Sequence, residues 1–277
     1  MAGRPRATKP TTPLEPQPLG HHLAGSVQAL ERGLNLLAII AEADGLSLTS
    51  IAQRAGIAPS TAHRILNTLK AGGFVHYDET HDGWLIGVQA FRIGSAFLRN
   101  RKMVDVGRST VRKLMEASGE TVNMAIEDDG HVVFVSQMEC HQAIRAFNRP
   151  GGRGPLHASS LGKAMMAAWS EDAIAQRLHR VGMPRLTAHT IVNPDALMQD
   201  LTLVRKRGWA IDDQEQSEGL RCVGSAIYNE HGEVVGAISI SGPMVRVTDE
   251  RLGELGPMVK RAAAEVTERI GGRTPRV

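Results

Sequence analysis

Apolar residues recur at helical spacing from Val27, with Leu30, Leu34, Leu37, Ala38 and Ala41 three or four positions apart. That spacing predicts an amphipathic helix capped by Ser26 and ended by Asp44 and Gly45. The stretch LTSIAQRAGIAPSTAHRILNTLKAGG predicts two short helices, Leu48 to Ala55 and Pro59 to about Ala71, divided by Gly56 and stopped by Gly72-Gly73. Two strand-like runs, FVHY and WLIGV, flank ETHDG, and the Asp82-Gly83 pair makes them a β-hairpin. Helices follow from Gln89 to about Asn100 and from Val104 to Ser118. Then the period changes to that of strands at TVNMAIED and HVVFVSQME, around Asp129-Gly130. Helices are expected from about Ser160 to Trp169, around Glu171 to His179 and around Pro194 to Arg207. Strands follow at WAIDD, VGSAIYN and VVGAISIS, before a last helix from Asp249 to Ile270. Hairpin-linked strands with segregated helices predict an α+β fold on a mainly antiparallel sheet.

The pattern divides the chain into residues 1–24, 25–88, 89–102 and 103–272. The first piece carries five prolines with Arg4, Arg6 and Lys9 and no apolar period, the composition of a flexible basic tail. The piece from 89 to 102 is read as a linker helix, and the last is large enough to fold alone around a pocket. The N-terminus lacks the apolar run of a secretory signal, and the apolar run from Leu34 to Ala41 is too short to span a membrane. A cytoplasmic protein without a membrane partner is expected. Cys140 and Cys222 stand alone, without metal-ligand spacing, and are read as free thiols. A net charge of +3 permits a polyanionic partner without demonstrating one, and 4% aromatics disfavours stacking on single strands. Evidence for nucleic acid therefore has to come from a local motif.

The paired helices supply one. Ala52 is small where a second helix would cross, and Gly56 tolerates the turn. On the second helix Ala62, Ile65, Leu66 and Leu69 form an apolar stripe, leaving Ser60, Thr61, His63, Arg64 and Asn67 outside, with Lys70 at the margin. Arg64 can pair bidentately with guanine and Asn67 with adenine, and the hydroxyls of Ser60 and Thr61 suit phosphates. Any solvated helix face is polar, so the hairpin directly behind the helix matters. It makes a wing, bringing His76, Tyr77 and His81 near the DNA backbone, although Asp78, Glu79 and Asp82 would repel phosphate.

The motifs STAHRILNTL, SGETVNMA, PLHASSLGKA after Gly151, and RKRGWAIDDQEQSEGLRCVGSAIYNEHGEVVGAISISGP occur in the order found in one family. The chain resembles the IclR family of bacterial transcriptional regulators over nearly all of residues 25 to 272, and is most similar to its glyoxylate and acetate branch, acetate-operon repressors included. The resemblance implies a winged helix-turn-helix DNA-binding domain over 25–88, joined by the linker helix to a GAF-like α/β effector-binding domain over 103–272. It also implies a homodimer or homotetramer on an inverted-repeat operator, acting as repressor or activator. Glyoxylate- and pyruvate-binding members hold the ligand at positions that correspond here to Ser159, Ser160, Leu161, Asp212, Cys222, Ser239 and Ser241. This chain departs in Ser160 and Leu161, where the glyoxylate pattern has glycine and alanine, and in Gln214, within a segment that is usually DDEE.

The chemistry of those positions is reasonable in itself. Ser239 and Ser241 lie two apart on a strand and face one side. The stretch Ser159 to Gly162 opens a helix, whose free N–H groups and positive dipole end favour a carboxylate. Asp212 would repel that carboxylate unless protonated or held on a neighbouring donor. Cys222 serves equally well as a small buried apolar residue, and the serines as strand residues bonded to nearby backbone. The expected effector is a 2-oxo acid such as glyoxylate or pyruvate, with an aromatic or other carboxylic acid as the alternative; no cofactor or metal is expected. Enzyme templates fit poorly. The segment Gly151 to Lys163 fails the phosphate-loop pattern at His157 and Ala164, and neither GxSxG nor HExxH occurs. The remaining catalytic alternative is a thiol enzyme using Cys222 with His157 and carrying an accessory DNA-binding domain.

Overall fold

The computed structural model describes residues 27–43, 45–80, 82–99 and 102–275. The basic tail, the Ser26 cap, Asp44 and His81 lie outside the described residues. Two compact units are present, one reaching Arg99 and the other starting at Lys102.

In the first unit, α1 (Gln28–Ala41), α2 (Leu48–Ala55) and α3 (Pro59–Ala71) precede a hairpin of β1 (Val75–Asp78) and β2 (Gly83–Ile86), and α4 (Val88–Arg99) closes it. The N-cap position of α1 is Val27, which makes no side-chain cap bond. Ser47 opens α2 by accepting the Ser50 N–H at 3.2 Å. Gly56 ends α2 at φ 64°, a left-handed turn that costs glycine nothing and points α3 across it. Pro59 stands at the start of α3, where its missing N–H is no loss. Leu36, Ile40, Ile51, Ala52, Ala62, Leu66, Val75 and Trp84 form the core. Each fully buried Leu or Ile contributes roughly 1.5–3 kcal/mol, so a unit this small depends on all of them.

The second unit runs α5 (Lys102–Ser118), β3 (Thr121–Asp128), β4 (His131–Met138), β5 (Arg153–Pro155), α6 (Ser160–Met166), α7 (Glu171–Val181), α8 (Pro194–Arg207), β6 (Ala210–Asp213), β7 (Leu220–Tyr228), β8 (Val234–Pro243) and α9 (Asp249–Arg269). Its six strands are ordered β5-β4-β3-β8-β7-β6, and every pairing is antiparallel. Alternation along the strands gives the sheet two faces. Val122, Met124, Ile126, Ile238 and Ile240 share a core with Leu114 of α5 and Val259 of α9. Ala125, Phe134 and Ala237 share the opposite core with Leu161 of α6, Ile174 of α7 and Leu201 of α8.

Two details differ from the pattern. The helix expected to reach Trp169 stops at Met166, because the chain turns so that Ala168 and Trp169 N–H groups bond three residues back to Met165 and Met166. Strand β5 carries no strand pattern, since Gly154 and Pro155 are poor strand formers; its pairing with β4 at the sheet edge makes it a strand.

Candidate functional site

The polar centre of the second unit is set by strand register. Asp212, Cys222, Ser241 and Thr121 face one another across β6, β7, β8 and β3, and the adjoining row holds Gly224, Ser239 and Asn123. Residues two apart share a face, so both rows look toward α6. A Cβ on Gly224 would lie 2.8 Å from the Ser160 carbonyl, and one on Gly162 would lie 2.2 Å from the Leu156 oxygen. Gly162 lets the backbone at Leu156 close against α6, and Gly224 lets the start of α6 come down onto the sheet.

Between them is a cavity of about 20 Å³. Ser159, Ser160, Leu161, Asp212, Cys222, Ser239 and Ser241 all line it, together with Phe134, Asn148, Gln216 and Leu220, which the sequence reading missed. Asn123, also missed, stands behind the wall. Its Nδ2 donates to Ser241 Oγ at 3.3 Å, and its Oδ1 accepts from Gln137 Nε2 at 3.0 Å. The sequence signal for it was an amide between the apolar Val122 and Met124.

The lining groups differ in what they have left to offer. Ser159 is committed: its hydroxyl donates to the Pro155 carbonyl at 2.6 Å and accepts the Gly162 N–H at 3.1 Å. Helix α6 has only seven residues, so its dipole is short, and Ser160 and Leu161 of its first turn, whose N–H groups have no partner within the helix, line the cavity. Ser241 accepts from Asn123 and is also in hydrogen-bond contact with the Cys222 thiol. Ser239 Oγ is buried and has no partner among the described residues, so the alternative of a strand serine satisfied by backbone does not apply to it.

Asp212 resolves the charge conflict raised by its position. Its Oδ1 accepts the N–H groups of Glu215 at 2.8 Å and Gln216 at 3.3 Å. Burial, reinforced by the Glu215 carboxylate and opposed by Lys163, pushes its pKa up to about 7. Near neutral pH the carboxyl is then protonated in a large fraction of molecules. Behind it, the buried Lys163 ammonium lies 2.5 Å from Glu215 Oε1 and 2.8 Å from Asp200 Oδ2. Burial pushes the Cys222 thiol well up, and the neighbouring Asp212 pushes it further. A nucleophilic thiol needs the opposite shift, and His157 Nε2 is engaged with the Pro184 carbonyl at 3.1 Å.

On the first unit, Ser60, His63, Arg64 and Asn67 are exposed along α3 and Thr61 is half-buried, while Ala62 and Leu66 are fully buried on the other side. Asn67 Nδ2 lies 3.3 Å from His63 Nε2, which holds the amide in place. Arg64 makes no side-chain hydrogen bond or ion pair among the described residues, so its guanidinium is available. In the hairpin, Tyr77 bonds Asp82 and packs edge-on against Trp84 with centroids 5.4 Å apart. One acid of the wing is thereby occupied.

Comparison with known proteins agrees with this architecture. Residues 29–79 match the IclR helix-turn-helix domain, and residues 95–268 match the C-terminal domain of bacterial transcriptional regulator IclR. The chain is 46% identical over 253 residues to the acetate operon repressor of Salmonella typhimurium, covering 90% of this chain and 92% of that one. The Thermotoga maritima IclR crystal structure superposes with a TM-score of 0.75 at 29% identity, over 87% of this chain and 98% of the other. An IclR homologue from Microbacterium hydrocarbonoxydans, solved in complex with 4-hydroxybenzoate, shares the fold at TM-score 0.76 and 21% identity, over 88% of this chain and 99% of that one. A winged helix-turn-helix unit followed by an α/β unit, with family matches over both, makes this chain a member of the IclR family of bacterial transcriptional regulators.

Proposed function

We propose that the protein is a repressor that binds an inverted-repeat operator through α3, as a symmetric homodimer or homotetramer in the cytoplasm. Its operator affinity responds to a small 2-oxo acid, glyoxylate or pyruvate, held in the cavity under α6. The observation that carries the ligand reading is the unpartnered Ser239 hydroxyl at a cavity lined by every residue expected there. Ser239, Ser241 and the N–H groups of Ser160 and Leu161 supply donors for a carboxylate and a neighbouring carbonyl, and a protonated Asp212 adds one more. On size, about 20 Å³ compares with the roughly 10–15 Å³ that admits a single water on the same measure. A two-carbon acid is larger than one water, so the cavity wall has to open to admit it, and an aromatic ring requires far more opening. The aromatic reading keeps one supporting observation, the 4-hydroxybenzoate held by a relative of the same fold. For the oligomer, the support is apolar surface within the first unit: Phe91, Ile93 and Val88 of α4 and Val27 and Leu30 at the start of α1 are more than half exposed. A monomer rarely leaves such stripes in water.

Calorimetry with glyoxylate, pyruvate and 4-hydroxybenzoate on wild type and on Ser239→Ala/Ser241→Ala tests this, alongside gel shifts on the chain's own promoter region and sedimentation. Two lost hydrogen bonds of about 0.5–1.5 kcal/mol each predict glyoxylate binding weakened roughly 5- to 150-fold. Binding of the aromatic acid alone, or an unweakened double variant, refutes the pocket. A monomer with intact operator affinity refutes the symmetric assembly.

A further inference from the structure

The charges clustered around the cavity do not balance. Lys163 and Arg207 are the cations, Arg207 lying 3.9 Å from Asp200 Oδ1. Against them stand three carboxylates, Asp200, Glu215 and Asp212. Fully ionised, the cluster carries one excess negative charge, in a place where Lys163, Asp212 and Glu215 are all at most 5% exposed. Its neighbours do not correct the count. His157, ahead of α6, is held toward the neutral form chiefly by burial. On β7, Cys222 is kept as the thiol and Arg221 is turned to Asp213 and Asp249. From β8 only hydroxyls face Asp212, and Glu218 of the following segment is exposed. Independently of the count, Glu215 Oε2 is buried without a hydrogen-bond partner, a carboxylate oxygen in want of a proton or a donor.

An arriving carboxylate would add a second uncompensated charge within the same low-dielectric space. We propose that the cavity takes up its acid anion together with one proton from solvent, which the Asp212–Glu215 pair holds, so that the site senses acid concentration and pH together. The proton joins a carboxylate oxygen of the pair, no other bond is made or broken, and, starting from the ionised pair, the cluster and its bound anion together carry the same net charge as the empty cluster. The inference rests on the cavity being the acid site. It makes Glu215 and Lys163, which do not line the cavity, positioning residues for the ligand. The direction in pH follows from the raised pKa of Asp212. Below pH 7 the pair already holds its proton and affinity is flat; above it the proton must be collected, and affinity falls by up to about tenfold per pH unit.

The test is calorimetry of the full chain with glyoxylate and with pyruvate, from pH 5.5 to 8.5, in buffers of different ionisation enthalpy. The dependence of observed heat on buffer gives the number of protons taken up. Wild type is expected to take up close to one proton per acid at pH 8 and close to none at pH 5.5. Asp212→Asn should bind without uptake and with affinity independent of pH. Glu215→Gln, which removes the excess charge without touching the cavity wall, should cut the uptake at pH 8 by more than half. Binding with no uptake and a flat pH profile in wild type overturns the proposal and leaves the acid site standing. Wild-type uptake in both variants also overturns it. No heat from either acid at any pH overturns the acid site itself, and the proposal with it.

Discussion

Replacing Lys163 by methionine isolates the buried charge cluster, because the stem keeps its volume and only the ammonium goes. Lys163 is 1% exposed and is gripped by Asp200 and Glu215 at 2.8 and 2.5 Å. Its removal leaves two carboxylates facing each other in the interior, with Arg207 at 3.9 Å as the nearest remaining cation. Breaking a buried pair in this way costs about 3–5 kcal/mol, because the partner charge stays behind uncompensated. For a unit of this size roughly 2–4 °C of Tm accompanies each kcal/mol, so a loss of about 6–20 °C is expected at pH 7.5. The sign with pH is fixed by the survivors. Burial already raises the pKa of the Glu215 carboxyl and Lys163 is what holds it down, so without Lys163 it rises further above its unfolded value, and the folded variant binds extra protons and regains stability as pH falls toward 5. In wild type the raised pKa of Lys163 matters only near pH 10 and above, outside this window. Scanning calorimetry of both proteins from pH 5 to 8 should show a gap in Tm that widens with pH. Adding Glu215→Gln to the variant should recover about half of the loss, since the two residues are in contact. A loss under about 1 kcal/mol, or a gap indifferent to pH, would refute the reasoning.

Two other outcomes follow from single side chains. Arg64→Ala, which removes the free guanidinium of α3, should weaken operator binding by about 1–3 kcal/mol and relax preference at one base position per half-site, measured by gel shift against base-substituted operators. Gly162→Ala drives a Cβ to 2.2 Å from the Leu156 carbonyl oxygen, backbone that cannot swing away. It should destabilise the second unit by about 1–3 kcal/mol and weaken glyoxylate at least tenfold, read by melting and calorimetry.

Legibility in the sequence followed the range of the interaction. Helix α8 was expected from Pro194 to Arg207 and occupies those residues, because its signals are local: Asn193 accepts two N–H groups at its start and Gly208 adopts φ 85° at its end. The Ser239 and Ser241 pair was legible because strand period is local too. What put Ser239 beside Asn123 and left its hydroxyl bare was the antiparallel register of β3 with β8, which depends on residues more than a hundred positions apart. Lys163 illustrates the limit best. Next to Gly162 it invited only comparison with a phosphate loop, whereas its partners come from α8 and from the segment behind β6, 52 residues along in the case of Glu215. The residue after a glycine in a helix start carries no local mark of a buried ion pair. Leu161 was legible as a departure, and the structure puts it both in the core with Ala164 and Leu201 and on the cavity wall.

That double placement bears on how a ligand could act at all. An effector shifts an equilibrium only by its difference in affinity for two states, and that difference needs a source. Here the source can be named: Ser239 Oγ and Glu215 Oε2 are buried without partners, each a deficit on the order of 1–3 kcal/mol that a bound acid or its accompanying proton would remove. The groups that would share the ligand belong to separate pieces of the unit, the sheet through Ser239, helix α6 through Leu161, and the segment after β6 through Gln216. That segment is anchored at its base by Asp212 and at its side by Thr187 and Thr190, whose hydroxyls bond the Gln214 and Glu215 carbonyls at 2.7 Å. A ligand bonded to all three pieces favours the arrangement in which they are closest. The deficit it removes is of the same size as typical coupling free energies of 1–3 kcal/mol, roughly 5- to 150-fold in affinity. A site with every donor already satisfied would bind an acid more weakly and have less free energy to pass on.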